Sequence, residues 1–304
     1  MIKIKNLTKY FKKNGKAAVS SLDLTINDGE ITGFAGLNGA GKTTTIRMIA
    51  GVTLPSSGTV TVDGADIVHD KVKASKSIGW VPELPNFEPQ AKSISLMIYY
   101  AGFYGIDYKT AKNRAIEILK EVNIYDARKM KLINYSQGMK KRFSLASCMI
   151  IEPQNFLFDE ILNGLDPEGI QFMRNYMKEL KKKNKAVFLS THILSELQNL
   201  ADKVAIINNG KLVTIIKPDE LENVTKSTIT IKIKNIDDKI MNILQPYGKA
   251  KVEGGEIVLT DIQKDFSDLN TLLVKNNYIV TGFSVEGESL EDYFFKLIGG
   301  DNKK

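Results

Sequence analysis

A chain of 304 residues with 43% hydrophobic and 25% charged side chains has room for roughly two domains, and its 23 glycines and 8 prolines are too few for a disordered or collagen-like polymer. Its 42 Lys and Arg against 35 Asp and Glu leave a net charge of +7, which suits nucleic acid or an anionic membrane face and does not choose between them. The single cysteine, Cys148 in the apolar run FSLASCMII, excludes disulfide frameworks and thiolate metal clusters, agrees with a reducing compartment and reads as a core residue.

The amino terminus, MIKIKNLTKYF, alternates charge with isolated apolar residues and lacks the apolar run of a secretory signal, so the chain is expected in the cytoplasm. ITGFAG (Ile31 to Gly36) is the first buried strand, and GLNGAGKTT (Gly36 to Thr44) joins it to the helical run TTIRMIAG. Glycines at 36, 39 and 41 let backbone amides turn inward as a nest for phosphate oxygens, and the new helix adds the positive end of its dipole. Lys42 then reaches the β- and γ-phosphates of a nucleotide, and Thr43 offers its hydroxyl to Mg²⁺.

The longest charge-free stretch, SISLMIYYAGFYGI between Lys92 and Asp107, falls short of the ~18 to 20 apolar residues of a membrane span. From about Ile94 to Ile151 there is no strand-like alternation, and RAIEILKEV (Arg114 to Val122) spaces its apolar residues as a helix does, so this region is a helical insertion. FLFDE (Phe156 to Glu160) is a second buried strand that delivers two carboxylates at its expected exposed end. Asp159 is placed to hold Mg²⁺ through water, and Glu160 to orient or deprotonate an attacking water. A helix starts at Asp166-Pro167 and ends in the basic run KELKKKNK (Lys178 to Lys185), where cations suit the helix dipole; a third buried strand, AVFLST (Ala186 to Thr191), follows. Short apolar runs alternating with helices predict a mainly parallel sheet with crossover helices.

After Lys217-Pro218 the texture changes. TITIKIK (Thr228 to Lys234) alternates at period two, GEIVLTD (Gly255 to Asp261) and YIVTGFSV (Tyr278 to Val285) follow, and helical patterns separate them. The order strand, helix, two strands, helix, strand, helix predicts a small α+β sandwich of the split type. SLEDYFFKLIGG closes it, with Ser289 and Asp292 as a capping box and Gly299 as the stop.

YSQGMKKR (Tyr135 to Arg142) just before FLFDE, and NGLDP (Asn163 to Pro167) just after it, complete a set that resembles the ATP-binding cassette ATPases over residues 1–217. The resemblance implies a phosphate-loop α/β domain over 1–217, with a helical subdomain at about 85–150, and leaves 218–304 as a small α+β accessory domain. It implies that ATP lies against Gly36, Asn38, Gly39, Ala40, Gly41, Lys42, Thr43 and Thr44, with Mg²⁺ near Thr43, Asp159 and Glu83. Phe11 aligns with the residue that stacks on adenine, with Tyr10 a close competitor. Glu83, in IGWVPE, stands where the family usually has a glutamine that touches Mg²⁺ and faces the transporter subunit. Glu160, Lys42 and His192 take the catalytic positions, His192 matching a histidine that contacts the γ-phosphate.

Ser136 and Gly138 match the family signature, which meets the γ-phosphate held by a second protomer; Tyr135, Gln137 and Met139 depart from it. Asp166 matches the acidic residue of the loop that crosses the dimer, and it is also a good helix cap. Ile161 and Leu162 replace the usual Pro-Thr, which puts the local loop geometry in question. His69 lacks such a context and is expected on the surface. The expected partners are a second copy of the chain or a paralogous cassette and a separate transmembrane permease subunit, without nucleic acid, which places the protein peripherally on the inner face of the cell membrane. The appendage looks like that of drug, bacteriocin and peptide exporters; the alternatives are an importer ATPase and a soluble cassette acting on ribosome or DNA. The aromatic cluster MIYYAGFYG (Met97 to Gly105) either forms a groove for the membrane subunit or packs the core of the insertion.

Overall fold

The computed structural model describes residues 1–13, 15–219, 228–286 and 289–299. The chain divides into one unit of Met1–Ile215 and another of Ile216–Lys304. In the first strand, β1 (Ile2–Lys9), Ile2, Ile4 and Leu7 turn inward while Lys3 and Lys5 face solvent, as the period of two requires. It lies between β2 (Val19–Ile26) and β4 (Ser57–Val62), which β5 (Ala65–Asp66) extends, in an antiparallel sheet of order β2-β1-β4-β5. None of these strands is among the three expected from their apolar runs, because a half-buried strand keeps polar residues on its other face.

The second sheet holds the expected ones. β3 (Ile31–Ala35), β6 (Ile78–Val81), β7 (Asn155–Asp159), β8 (Ala186–Thr191), β9 (Lys203–Asn208) and β10 (Lys211–Ile216) stand in the order β10-β9-β3-β8-β7-β6. The pairs β9-β3, β3-β8, β8-β7 and β7-β6 are all parallel. β3, β7 and β8 are buried along their whole length, which is why they read as unbroken apolar runs. The Phe34 and Phe188 rings, 5.1 Å apart, join β3 to β8 in a core shared with β1, β2 and α1 (Lys42–Ile49).

After α2 (Lys71–Lys76) and β6 the chain forms the helical insertion: α3 (Ser93–Phe103), α4 (Tyr108–Glu121) and α5 (Gln137–Met149), with short 3₁₀ turns at Tyr125–Ala127 and Leu132–Asn134. α6 (Pro167–Lys182) has Pro167 in its first turn and is capped by Asp166; α7 (Leu194–Leu200) follows β8. The basic end of α6 is solvated, with Lys182 2.7 Å from Glu179 and Lys181 paired with Asp202.

In the second unit β11 (Thr228–Ile233), α8 (Asp238–Leu244), β12 (Lys249–Glu253), β13 (Glu256–Thr260), α9 (Leu269–Lys275), β14 (Val280–Glu286) and α10 (Leu290–Gly299) follow the expected order. Their sheet, β12-β13-β11-β14, is antiparallel throughout. Alternation in β11 and β13 sends Ile229, Ile231, Ile257 and Leu259 into one core with Ile240 and Leu244 of α8 and Leu269 and Leu273 of α9. The capping box of α10 forms, Ser289 Oγ donating to Asp292 Oδ2 at 2.6 Å and accepting from the Asp292 amide at 3.1 Å. Gly299 is its last described residue. Among the described residues no helix is long and apolar enough to cross a membrane.

Candidate nucleotide-binding site

The register of the parallel sheet brings four strand ends level, with Ala35 opposite Thr191, Asp159 opposite Ser190, and Val81 opposite Phe158. Open parallel sheets bind ligands just outside these carboxyl ends. The loop 36–41, Glu83, Glu160 and His192 all leave the sheet there. Two glycines are required by the loop's path. A Cβ on Gly36 would lie 2.5 Å from the Ile207 carbonyl oxygen, and Gly41 turns into α1 at φ +112°, where a Cβ would meet the Ala18 oxygen at 2.6 Å.

An open cavity of about 250 Å³ results, lined by Asn38, Gly39, Gly41, Lys42, Thr43, Thr44, Glu83, Glu160, Asn163 and His192, with Ala18 at its edge. Lys42 Nζ donates to the Gly36 carbonyl at 2.7 Å and stands 3.2 Å from Glu160 Oε1, both side chains being buried. Glu160 Oε2 accepts from Asn163 Nδ2 at 3.1 Å and lies 3.0 Å from His192 Nδ1. The backbone of Glu160 is left-handed, at φ +48°, and its amide is held by the Ser190 carbonyl at 3.1 Å and Oγ at 3.2 Å. A non-glycine residue keeps that conformation only where its surroundings fix it, and such positions concentrate at functional sites.

Asp159 Oδ1 accepts from Ser190 Oγ at 2.7 Å and from Thr43 Oγ1 at 3.2 Å. Burial pushes the pKa of this carboxyl up, the two hydroxyls pull it back, and the negative charges of Glu160 and Glu83 add to the rise. The end of FLFDE is therefore not exposed as expected: Asp159 is 1% and Glu160 5% accessible, because the phosphate loop and the end of β8 close over them.

The other expected residues are placed elsewhere. Gly36 and Ala40 are buried within the loop rather than lining the cavity. Ser136 is exposed at the start of α5, its Oγ accepting from the Met139 amide at 3.2 Å, with Gly138 in the first turn. Asp166 caps α6 by accepting from the Gly169 amide at 2.8 Å. Phe11 is 67% and Tyr10 45% exposed; they follow β1 near Ala18, whose amide donates to the Lys9 carbonyl, and neither lines the cavity. His69 is exposed. Cys148, expected in the core, is half-buried on the wall of a second cavity, although burial of its thiol raises the pKa to about 12. The aromatic cluster divides. Met97 and Ala101 are core, whereas Tyr100, Phe103 and Tyr104 line that second cavity, of about 540 Å³, together with Trp80.

Three polar residues around Asp159 and Glu160 carry no role in the sequence reading: Ser190 and Asn163, which bond the carboxylates or the Glu160 amide, and Lys141, which bonds the carbonyls of the turn after Glu160. Ser190 and Asn163 lie inside quoted motifs, two and three residues from His192 and Asp166, and Lys141 inside YSQGMKKR. The contacts of Ser190 and Lys141 span 20 to 31 positions, which no local pattern encodes, whereas Asn163 reaches Glu160 across only three.

The family model described as ABC transporter matches residues 19–163. The bacitracin transport ATP-binding protein BcrA of Bacillus licheniformis is 34% identical over 99% of this chain and 98% of its own length. The solved ATP-binding subunit of an ABC transporter aligns with a TM-score of 0.67 at 25% identity, over 74% of this chain and 92% of that one. A cassette dimer in a post-hydrolysis state, bound to ADP and Pi, aligns with a TM-score of 0.66 at 23% identity, over 72% of this chain and 99% of its own.

Proposed function

The chain belongs to the ATP-binding cassette family and is an ATPase, and we propose that it drives a separate membrane-spanning subunit in the export of an amphipathic peptide or drug. The observation that carries this reading is the reach of the BcrA likeness, which runs past the cassette through the small α+β unit. Importer and soluble cassettes share the engine, so the appendage, rather than the phosphate loop, distinguishes the exporter.

In this reading phosphate oxygens take the Lys42 ammonium from the Gly36 carbonyl, and Glu160 accepts the proton of the attacking water while His192 and Asn163 hold its second oxygen. The Thr43 hydroxyl and the Asp159 carboxylate, 3.2 Å apart, and Glu83 on the cavity wall are oxygen donors of the kind magnesium requires and would hold that ion. The ion supplies charge neutralisation at the phosphates. Ser136 and Asp166, exposed, and Gly138, half-buried, none of them lining the cavity, are suited to close the site of a second cassette, either another copy or a paralogue. Phe11, close to the Ala18 edge, serves as the adenine platform.

The cavity walled by Tyr100, Phe103, Tyr104 and Trp80 is the surface proposed for the membrane subunit, and the Trp80 indole N–H, buried and without a partner among the described residues, is available to a carbonyl of that subunit. Co-expression with the spanning subunit tests the assignment. The chain is expected to move into the membrane fraction, and Phe103→Asp to leave it behind. Sedimentation with ribosomes or DNA at physiological salt, independent of the spanning subunit, would favour the soluble-cassette alternative.

A further inference from the structure

Lys141 is 5% exposed, yet among the described residues no carboxylate lies within ion-pair distance of it. Its ammonium donates instead to two backbone carbonyls of the turn that follows Glu160: that of Ile161 at 2.8 Å and that of Asn163 at still closer range. A buried lysine spent on carbonyls is costly, since desolvation opposes its charge and each N–H must find an acceptor. Burial lowers the pKa of this ammonium, and the charges of Glu83 and Glu160 hold it up.

The turn it grips has a demanding shape. Glu160 is left-handed, the Asn163 amide returns to the Glu160 carbonyl at 3.2 Å, and the Asn163 side chain donates to Glu160 Oε2 at 3.1 Å. Ile161 and Leu162, which occupy the turn, bring no fixed backbone angle of the kind proline supplies. The geometry points to Lys141 as a positioning residue for catalysis: by clasping the Ile161 and Asn163 carbonyls it fixes the turn, and through the Asn163 amide it aims the Glu160 carboxylate. Lys141 lies in the second turn of α5, the helix that Ser136 caps, so a displacement of that helix is passed to the carboxylate through the clasp. The inference rests on the reading of Glu160 as the base.

ATP hydrolysis by the full chain tests it, using Lys141→Met, Asn163→Ala and Glu160→Gln singly and each of the last two combined with Lys141→Met. A clasp acting through Glu160 predicts that Lys141→Met lowers kcat roughly 10- to 100-fold and leaves KM for ATP within about twofold. Its effect should vanish in the Glu160→Gln background, and with Asn163→Ala it should cost less than the product of the two single losses. Wild-type kcat in Lys141→Met, or an undiminished further loss in the Glu160→Gln background, overturns the assignment. Near-wild-type turnover by Glu160→Gln alone overturns the base reading instead, and the two failures are distinct because that variant keeps Lys141. Should Lys141→Met not fold, Lys141→Gln, with one amide to serve two carbonyls, is judged by the same kcat, KM and background criteria.

Discussion

Glu160 and Ser136 both sit at turns that the family resemblance ties to ATP, yet they are held in opposite ways. Glu160 is buried and its carboxylate is met from three sides, by Lys42, Asn163 and His192. Ser136 is exposed, and among the described residues its hydroxyl is bonded within its own helix, accepting from the Met139 amide. A side chain fixed by several partners is set for chemistry within the chain, whereas an exposed cap contributes only ~1 kcal/mol locally and leaves its outer face for something else. Under the proposed function the two regions would divide the site into a half that this chain completes and a half that it presents outward.

The largest effect expected is at the completed half. Glu160→Gln should retain nucleotide binding, because the loop and Lys42 remain, and lose turnover by roughly 10²- to 10⁴-fold, as removal of a general base does. Nucleotide titration and steady-state hydrolysis on the same preparation separate these. Near-wild-type turnover would transfer the role to His192, whose Nδ1 lies 3.0 Å from the same carboxylate.

This half was legible from sequence because its parts are local. ITGFAG, FLFDE and AVFLST are buried on both faces and so unbroken in apolar character, and the glycine loop joins a strand to a helix within a few positions. What was not legible depends on distant segments meeting. The burial of Asp159 needs Thr43 and Ser190, and the hold on the turn after Glu160 needs a lysine 20 positions upstream. β1 went unnamed for another reason: with lysines facing solvent at every second position its start reads as scattered charge.

At the outward half, Ser136→Arg sharpens the contrast. If Ser136 were a cap alone, the substitution would cost about 1 kcal/mol of stability and leave turnover intact. If it faces a phosphate held by a second cassette, the bulk of arginine should abolish ATP-driven dimerisation and cut turnover at least ~10-fold, while nucleotide affinity of the monomer is unchanged. Light scattering of the variant with ATP, beside Ser136→Asn as a cap-preserving control, decides between them. Phe11 is the next step down in size. Phe11→Ala should weaken nucleotide affinity by ~1 to 2 kcal/mol, the worth of one stacking aromatic, and Tyr10→Ala should do less. The reverse order in a titration would reassign the platform.

The smallest effect concerns what the completed half costs the fold. Asp159 is buried, and its carboxyl pKa lies above the ordinary 3.8, chiefly through burial. A raised pKa means the folded state binds the proton more tightly than the unfolded chain, so the favourable contribution of the protonated group is present below 3.8 and is lost as pH rises through the folded value. At pH 7 the ionised carboxylate therefore weighs against folding. Asp159→Asn removes that charge, and its Oδ1 can still accept from Ser190 and Thr43, so the variant should be more stable than wild type at pH 7 by roughly 1 kcal/mol. The gain should shrink as the pH approaches 4 and wild type takes up its own proton. Saturating Mg²⁺ and ATP should narrow or reverse the difference, because a ligand stabilises in proportion to its affinity and the carboxylate is the group that favours the ion. Thermal melts of both proteins across this pH range, with and without magnesium nucleotide, read all three changes. An asparagine variant less stable than wild type at pH 7 without nucleotide would mean that the hydroxyl bonds outweigh the burial of charge, and that the carboxylate stabilises the fold as well as the site.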